Sequence, residues 1–380
     1  MSQTAGFGKC KKILESEIRH VWEEVKVPLG DRSYDILIGP GLLLDKVKYL
    51  KGLEPFTGPF IIADSNVEDY VGHDLVTILQ QGGYPGAKLL SFPAGEQSKN
   101  METLVGLARS LVRLGADRSS LLVGLGGGVT GDICGFLASI YMRGVDFIQL
   151  PTTLLAQVDS SVGGKTGVDL PEGKNLLGTF AQPRLVLADI GVLCTLPARE
   201  IRNGIAEIVK YGMIKDAELF QKLEEQWWDV VNLEPYTTAY LVKRSCQIKA
   251  EVVSKDEREG GYRRILNFGH TIGHAIEAAS DYTIAHGEAV AIGMVAVSRI
   301  SVARGLLGRQ ELERLIKVLE KFDLPVDIPE PITEEEILKN LKRDKKVKDG
   351  KVNFILAKGI GDTVVADDVT DREILSAIRQ

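Results

Sequence analysis

The chain has 380 residues, 44% of them hydrophobic and 26% charged, which is typical of a soluble globular protein large enough for two domains. Its net charge is −6, and the absence of a basic tail or stripe argues against nucleic-acid binding. The four cysteines lie far apart and form no CxxC pair, which argues against a thiolate zinc site or a disulfide framework. With no apolar signal-peptide core and no apolar run of membrane-spanning length, the sequence predicts a cytoplasmic protein.

The elements predicted in chain order divide the sequence into three parts. Residues 1–24 predict a mobile N-terminal extension, because apolar residues are sparse and no periodic pattern begins before Val25. Over residues 25–195, apolar runs such as YDILIG, PFIIAD, SSLLVGLG and DFIQLP alternate with helical stretches, which predicts an α/β domain with a mainly parallel sheet. Residues 196–380 predict a mainly α-helical domain, with a small hairpin near residues 345–358 that turns at Asp349 and Gly350.

A glycine cluster follows one of the predicted strands in the segment SLLVGLGGGVTGD. Residues 126–131 match G-x-G-x-x-G, a pattern in which bare backbone approaches a pyrophosphate at a helix N-terminus. The next strand ends in QLP and lacks the usual ribose-binding acid, so Asp64 at the end of PFIIAD is the better candidate. Glu96 and Lys99 in the loop PAGEQSK are further candidates for a cofactor's sugar or phosphate, although a surface loop of that composition usually has no binding role. The sequence thus favours a nucleotide site with unusual connectivity over a simple tight turn.

The segment QVDSSVGGKTGVDLPEGKN is so rich in glycine that we expect an irregular loop. Its polar residues Asp159, Lys165, Lys174 and Asn175 suit a phosphorylated polyol, with the lysines on phosphate and Asp159 on a hydroxyl. An ordinary solvated loop explains the same composition equally well.

The helix predicted from NGIAEIVKYGMI is apolar nearly all round, so its charged residues Glu207 and Lys210 are expected to be buried. Buried charges are costly unless they are paired or bind a metal, and a carboxylate from this helix would complete a three-ligand site with two histidines. The alternative is a plain ion pair within the helix. Further along, Lys249, Glu259 and Arg263 are candidate substrate contacts, and Arg263 suits bidentate binding of a carboxylate.

Three of the five histidines, His270, His274 and His286, fall within the run NFGHTIGHAIEAASDYTIAHGEAV. His270 and His274 share one face of a helix, a spacing that suits a divalent metal with His286 as a third ligand. The stripe that they form with Asn267 and Glu277 contains no Lys or Arg, unlike an ordinary solvated face, and it predicts the wall of a cleft. A polar helix stripe without a metal is the alternative.

Together, the segments GLGGGVTGD, PTTLLAQVDSSVGGKTG, NGIAEIVKYG, KDEREGG, LNFGHTIGHAIE and HGEAVAIGM resemble the 3-dehydroquinate synthase family. The resemblance covers most of the chain beyond the N-terminal extension. It implies a two-domain homodimer that uses NAD and a divalent metal, zinc or cobalt. The implied reaction converts 3-deoxy-D-arabino-heptulosonate 7-phosphate into 3-dehydroquinate and phosphate, a step of the shikimate pathway, through transient oxidation, phosphate elimination, re-reduction, ring opening and aldol closure.

By matching positions, the resemblance also assigns roles to individual residues. It implies metal binding by Glu207, His270 and His286, and moves His274 from the metal to the substrate phosphate. For that phosphate it further implies Arg143 from across the dimer interface, Lys165, Asn175, Asn267 and Lys345, with Lys346 as the alternative to Lys345. It implies a carboxylate clamp of Lys249 and Arg263, and places Asp159, Lys210 and Glu259 near the reacting hydroxyls. For NAD it implies Asp64, Glu96, Lys99, Gly127, Gly128, Asp132, Thr152, Thr153, Lys174 and Thr195.

Two features depart from the family pattern: Asp169 stands where Asn is common, and TFAQP replaces an aromatic or histidine form. Three alternative functions remain at this point. Other sugar phosphate cyclases share the cofactor and metal but bind no substrate carboxylate, so Lys249 and Arg263 argue against them. Polyol dehydrogenases of similar fold would release NADH. A non-enzymatic NAD sensor would need neither the metal site nor the phosphate pocket.

Overall fold

The structure, a computed structural model, describes residues 22–43, 46–345 and 352–379, without the side chains of residues 46, 47 and 343–345. The chain divides into two compact units. The first contains the residues up to Leu196 together with Pro235–Ser254, and the second contains Pro197–Glu234 together with Lys255 and the residues after it. The sequence pattern placed the single boundary at residue 195 and assigned everything after it to a second domain. Residues 1–21 of the segment predicted as an N-terminal extension lie outside the described residues.

The first unit is built on a seven-stranded sheet in the order β1-β2-β9-β6-β5-β3-β4. Only β1 is antiparallel to its neighbour, so the mainly parallel sheet predicted from the sequence is confirmed. The strands are β1 (Glu23–Val27), β2 (Tyr34–Gly39), β3 (Thr57–Asp64), β4 (Lys88–Phe92), β5 (Ser120–Gly126), β6 (Asp146–Pro151) and β9 (Leu185–Asp189).

Both faces of this sheet are buried, as expected for parallel strands joined by helices. Successive residues of β3 alternate between two cores: Phe60 and Ile62 pack with one cluster, while Ile61 and Ala63 pack with the other. The helices of the unit are α1 (Lys46–Lys51), α2 (His73–Gln81), α3 (Met101–Arg113), α4 (Gly128–Ile140) and a long helix from the second half of the chain, Pro235–Lys255, numbered α8 below in chain order. Because every parallel strand runs the same way, the loops that follow β3, β5 and β6 meet at one edge of the sheet.

The glycine-rich segment predicted as an irregular loop is mostly a hairpin, so that prediction was wrong. Its strands β7 (Lys165–Leu170) and β8 (Gly173–Phe180) pair antiparallel. The glycines permit unusually close strands: a Cβ at Gly167 would lie 2.5 Å from the Leu177 carbonyl oxygen, and one at Gly178 would lie 2.2 Å from the Thr166 carbonyl oxygen. Glycine therefore serves strand pairing in this segment, where composition alone indicated irregular structure.

The second unit is mainly helical, as the sequence predicted. Its helices are α5 (Ala198–Lys215), α6 (Ala217–Glu225), α7 (Trp227–Val231), α9 (His270–Ala279), α10 (His286–Ala303), α11 (Arg309–Lys321), α12 (Glu334–Lys345) and α13 (Asp371–Ile378). One hairpin pairs β10 (Phe354–Gly359) with β11 (Asp362–Ala366). The run NFILAKG is thus the first strand of this hairpin, whereas the sequence pattern made it the second, and the turn predicted at Asp349 and Gly350 lies outside the described residues.

Two further expectations concern cysteines and membranes. Cys134 and Cys246 are free and buried, as expected for a chain without a disulfide framework, while Cys194 is disulfide-bonded. Among the described residues, no helix combines the length and apolar character needed to cross a membrane.

Candidate active site

A cluster of metal-ligating side chains forms where α5, α9 and α10 of the second unit meet. Nε2 of His270 lies 3.5 Å and Nε2 of His286 lies 3.4 Å from Oε1 of Glu207. One ligand atom from each residue lies within 4.8 Å of the other two. Glu207 is fully buried, and the two histidines are partly buried. A carboxylate and two imidazoles are a donor set that Zn²⁺ and similar divalent metals accept.

Helix starts position both histidines of this cluster. Gly269, with φ 78°, precedes α9 and makes His270 its first residue, while His286 is the first residue of α10. The side chain of Glu288 accepts a hydrogen bond from the Ala285 N–H at 2.9 Å, which fixes the start of α10. The two imidazoles therefore sit at neighbouring helix ends, with ring centroids 5.3 Å apart.

Close packing of α9 against α10 sets this separation. A Cβ added at Gly293 would lie 2.0 Å from the Gly269 carbonyl oxygen and 2.9 Å from the Gly273 nitrogen. A Cβ at Gly287 would lie 2.5 Å from Cα of Asn203 on α5. The three helices that carry the ligands thus approach one another at positions that only glycine fills without displacement.

The ring nitrogens that face away from Glu207 also have partners. Nδ1 of His270 lies 3.2 Å from the Phe268 carbonyl oxygen, and Nδ1 of His286 lies 3.5 Å from Oε2 of Glu277. Both contacts leave Nε2 directed at the cluster. Burial lowers the pKa of His270 to about 3. Burial also acts to lower the pKa of His286, but the carboxylates of Glu207 and Glu277 outweigh it and raise that pKa to about 10.

Lys210 lies beside the same carboxylate. It is 1% exposed, and its Nζ contacts Oε2 of Glu207, while its ammonium also lies 4.8 Å from the ring centroid of Tyr211. The burial of both charges, predicted from the apolar surroundings of the helix, is confirmed. From the sequence, an ion pair within the helix is the alternative to a metal-binding Glu207. That ion pair, between Glu207 and Lys210, is present, and the two histidines lie beside it.

His274 occupies a different position from the other two histidines. Its side chain is 61% exposed, and its Nε2 lies 3.9 Å from Oε2 of Glu277. It belongs to a group with Glu277 and His286, while the group that contains Glu207 does not include it. The helical spacing of His270 and His274 therefore places both rings near the cluster but directs only His270 at Glu207.

In the second unit, a short loop before α9 presents three of the predicted site residues. Asp256 accepts hydrogen bonds from the N–H groups of Gly260, Gly261 and Arg263 at 2.8–2.9 Å. These donors, chiefly that of Arg263, lower the pKa of Asp256. Arg263 is buried and donates to the Glu257 carbonyl oxygen, while Glu259 accepts a hydrogen bond from Asn267 at 2.9 Å. Asp256 thus closes the loop that carries Glu259, Arg263 and Asn267.

In the first unit, the predicted pair of Asp159 and Lys249 is brought together. Nζ of Lys249 lies 2.9 Å from Oδ1 of Asp159 and donates to its carbonyl oxygen at 2.7 Å. Cys246, on the same helix, donates to the Gln157 carbonyl oxygen at 3.2 Å. These contacts hold α8 against the turn that follows β6.

The predicted nucleotide residues gather at the carboxyl edge of the sheet. Gly127 and Gly128 begin α4 directly after β5, Asp64 ends β3, and Thr152 and Thr153 follow the end of β6. Asp64 accepts a hydrogen bond from the Thr130 hydroxyl at 3.2 Å. A Cβ at Gly127 would lie 3.1 Å from Thr153, so bare backbone lines this edge. Such a glycine cradle beside a helix N-terminus fits a dinucleotide.

A second polar group links the loop after β4 to the β7–β8 hairpin. Nζ of Lys99 lies 2.6 Å from Asp132 and donates to the Asn175 side chain at 2.6 Å. Burial opposes the charge of Lys99, but Asp132 and Glu96 raise its pKa above the ordinary value. Lys174 lies 4.0 Å from Glu96.

The remaining predicted residues take less enclosed positions. Arg143 and Lys165 are exposed in this structure, and the Thr195 hydroxyl donates to the Val192 carbonyl oxygen at 2.7 Å. The side chain of Lys345 is not described, and Lys346 lies outside the described residues.

Two residues near the site were given no role by the sequence pattern. Glu277 lies in the polar stripe with His270 and His274, and its spacing of seven residues from His270 was the signal that could have marked it. Asp256 offers no such signal, because its partners are backbone N–H groups.

Comparisons with known proteins agree on one family. The model described as 3-dehydroquinate synthase N-terminal matches residues 89–203, and that described as 3-dehydroquinate synthase C-terminal matches residues 204–347. The 3-dehydroquinate synthase of Symbiobacterium thermophilum is 45% identical over 358 residues, which cover 93% of this chain and 99% of that protein.

Two solved structures are also similar. One is the 2-epi-5-epi-valiolone synthase ValA of Streptomyces hygroscopicus with NAD⁺ and Zn²⁺ bound, at 35% identity and a TM-score of 0.85, covering 93% of this chain and 97% of that one. The other is a 2-deoxy-scyllo-inosose synthase complexed with carbaglucose-6-phosphate, NAD⁺ and Co²⁺, at 29% identity and a TM-score of 0.84, covering 94% and 99%.

Proposed function

Because the chain belongs to the 3-dehydroquinate synthase family and is an NAD- and metal-dependent lyase, we propose roles for its own residues in the reaction. The reaction converts 3-deoxy-D-arabino-heptulosonate 7-phosphate to 3-dehydroquinate. When bound, the metal lowers the pKa of a substrate hydroxyl, and NAD accepts a hydride and returns it. The steps assigned to the protein are therefore binding, orientation, charge balance and exclusion of water.

The proposed metal ligands are Glu207, His270 and His286. The observation that carries this assignment is the convergence of two imidazole Nε2 atoms on one buried carboxylate, at 3.5 and 3.4 Å from Oε1 of Glu207. Zn²⁺ is the proposed metal and Co²⁺ the alternative, since the similar structures contain one or the other. Lys210 balances the charge of Glu207 and faces the reacting hydroxyls together with Asp159 and Glu259.

The proposed NAD site lies at the carboxyl edge of the parallel sheet. Backbone at Gly127 and Gly128 receives the pyrophosphate at the start of α4, and Asp64 accepts hydrogen bonds from a ribose. The other members proposed for this site are Glu96, Lys99, Asp132, Thr152, Thr153, Lys174 and Thr195.

The two anionic ends of the substrate are assigned to different residues. Lys249 and Arg263 bind the carboxylate, Arg263 by a bidentate pair. His274, Asn267, Lys165, Asn175 and Lys345 bind the phosphate, with Arg143 contributed by the partner subunit. Once the adjacent ketone forms, the substrate's own phosphate removes the neighbouring proton and leaves, so these residues hold the base as well as the leaving group.

A homodimer is proposed because exposed apolar side chains lie beside Arg143 in the chain and on β8. They are Ile140 and Met142, next to Arg143, and Leu176, Leu177 and Phe180 of β8. β8 lies against α4, the helix that ends before Arg143, since the Thr179 hydroxyl donates to the Ser139 hydroxyl at 2.8 Å. Several exposed apolar side chains on neighbouring elements are typical of an interaction site. A cytoplasmic location is proposed with it, in keeping with a pathway that makes small metabolites.

The test is phosphate release from 3-deoxy-D-arabino-heptulosonate 7-phosphate with NAD and Zn²⁺, against a chelator-treated control. We expect metal-dependent phosphate release without a lasting rise in absorbance from NADH, because the hydride returns each turnover. Net NADH production would indicate a polyol dehydrogenase instead. Release from phosphorylated sugars that lack a carboxylate, but none from this substrate, would indicate a different cyclase.

Lys249 provides the sharper test of the substrate. Lys249→Ala is expected to raise the KM for the carboxylate substrate strongly, since it removes half of the proposed clamp. The matched control is Lys243→Ala on the same helix, where the ammonium pairs with Glu23 in a partly exposed position. Equal KM values in the two variants would remove Lys249 from the substrate site.

A further inference from the structure

One buried charge beside the metal cluster has no role in the proposed reaction. Glu277, on α9, is 4% exposed, and burial of a carboxylate is costly unless other groups compensate it. Its Oε2 lies 3.5 Å from Nδ1 of His286 and 3.9 Å from Nε2 of His274. The same carboxylate oxygen therefore faces His286, a proposed metal ligand, and His274, which is proposed to bind the substrate phosphate.

The contact with His286 has a direct consequence for metal binding. An imidazole that binds a metal through Nε2 carries its proton on Nδ1, and an acceptor at Nδ1 fixes both the tautomer and the plane of the ring. For His270 this acceptor is the backbone carbonyl oxygen of Phe268. For His286 the acceptor is Glu277, because Nε2 of His286 is directed at Glu207, on the opposite side of the ring.

We propose that Glu277 is a positioning residue that holds the ring of His286 in the orientation needed to bind the metal. Because the same carboxylate also contacts His274, it fixes the position of that proposed phosphate-binding residue relative to the metal. The proposal rests on the metal site of the proposed function. In this arrangement Glu277 acts through His286, since its Oε2 faces Nδ1, the ring nitrogen turned away from Glu207. The carboxylate also strengthens His286 as a donor, because a negative charge at Nδ1 raises the electron density available at Nε2.

The test is a titration of the metal-stripped, full-length protein with Co²⁺, followed by its visible absorption, and with Zn²⁺ against a competing chelator. Glu277→Gln keeps the size of the side chain and an acceptor oxygen but removes the charge, while Glu277→Ala removes both. Loss of a group behind a histidine ligand typically weakens metal binding by about 10–100-fold. We expect about 10-fold weaker binding for Glu277→Gln and about 100-fold for Glu277→Ala, with an altered Co²⁺ spectrum in both.

Two controls separate positioning from general damage. Glu218→Gln removes a carboxylate from an exposed position on α6 and should leave the affinity and the spectrum unchanged. The melting temperature of the metal-free protein should change little in Glu277→Gln, because that variant preserves the packing volume. Where Glu277→Ala does not fold, Glu277→Gln carries the test.

Co²⁺ affinity and spectrum within about twofold of the parent protein in Glu277→Gln would overturn the proposal, given the 10-fold effect expected from a supporting residue. His286→Ala distinguishes this from failure of the proposed function. If His286→Ala also binds Co²⁺ as the parent does, the metal site itself is wrongly assigned. If His286→Ala loses the metal and Glu277→Gln does not, only the role of Glu277 is wrong.

Discussion

Glu207 is the residue on which the proposed chemistry depends most. One fully buried carboxylate faces the Nε2 atoms of His270 and His286, which are partly buried, and the buried ammonium of Lys210. An isolated buried carboxylate would be strongly destabilising, so the surrounding groups explain how α5 tolerates it. The same arrangement makes the residue sensitive to any change of charge.

Glu207→Gln should remove the proposed metal site while keeping the shape of the side chain. We expect the bound metal to fall to a small fraction of one ion per chain and metal-dependent phosphate release to fall more than about 100-fold, since losing a group behind a ligand already costs 10–100-fold. Metal analysis of the purified protein and the phosphate assay measure both effects. The control is His73→Ala, at a largely exposed histidine of the first unit. Full metal content with full turnover in Glu207→Gln would contradict the assignment.

Asp256 acts on the proposed carboxylate clamp through the backbone. Asp256→Asn replaces one acceptor oxygen by a donor and so breaks at least one of the three N–H contacts that close the loop before α9. We expect a KM increase of up to about 10-fold with a smaller change in kcat, because the loss of a typical hydrogen bond costs about 0.5–1.5 kcal/mol. Steady-state kinetics with the neighbouring exposed variant Arg258→Ala as control would measure it. An unchanged KM would show that Arg263 is held without Asp256.

At the scale of elements, the ligand geometry depends on the close approach of α9 and α10. Gly293→Ala places a methyl group 2.0 Å from the Gly269 carbonyl oxygen, so the helices must separate. We expect the free energy of unfolding to fall by about 1–3 kcal/mol, and metal affinity to fall with it, because His270 and His286 move apart. Urea denaturation and Co²⁺ titration report the two effects separately.

Gly106→Ala is the matched control for that prediction. Gly106 lies within α3, and nothing lies within 4 Å of an added Cβ. The change should stabilise the protein by about 0.4–1 kcal/mol, since alanine favours a helix more than glycine does. If Gly293→Ala were as well tolerated as Gly106→Ala, the close packing of α9 on α10 would not set the ligand distance.

The elements also show which features a sequence can predict. The parallel strands were predicted almost to the residue because doubly buried strands are continuous apolar runs, as in β2 (YDILIG) and β6 (DFIQLP). The burial of Glu207 and Lys210 followed from apolar neighbours on every side of their helix. The β7–β8 hairpin was missed because its pairing depends on backbone contact at Gly167 and Gly178, which leaves no side-chain pattern.

Other features depend on contacts between distant parts of the sequence. The membership of α8 in the first unit rests on contacts such as that of Lys249 with Asp159, which no local periodicity reveals. The different directions of His270 and His274 were supplied by family resemblance, because helical spacing alone placed both on one metal-binding face. The role inferred for Glu277 required the distances to both imidazoles.

At the scale of the whole molecule, the proposed homodimer makes a prediction about mixed subunits. If Arg143 acts on the partner's site, a dimer of one Arg143→Ala subunit and one His270→Ala subunit contains one intact site. Random mixing of the two inactive proteins should therefore restore about a quarter of the parent activity, since about half of the symmetric dimers are mixed. The measurement is phosphate release after dissociation and reassociation of the mixture.

The control mixes Glu207→Gln with His270→Ala, two changes on the same proposed site of each subunit. In that mixture Arg143 is intact in every subunit, yet each site lacks a metal ligand, so no activity should return. Recovery in neither mixture would place Arg143 within its own subunit's site, whereas full activity of Arg143→Ala alone would remove it from the site.

Helix α8 belongs to the first unit although the segment before it belongs to the second, and this limits where the chain can be cut into independently folding fragments. The polypeptide passes from one unit to the other at Leu196, again at Glu234 and a third time at Ser254. A fragment that ends at residue 196 would lack the helix that supplies Lys249 and would leave the Gln157 carbonyl oxygen without the Cys246 thiol. During synthesis on the ribosome, the first unit therefore cannot complete its own fold until three helices of the second unit, α5, α6 and α7, have already emerged.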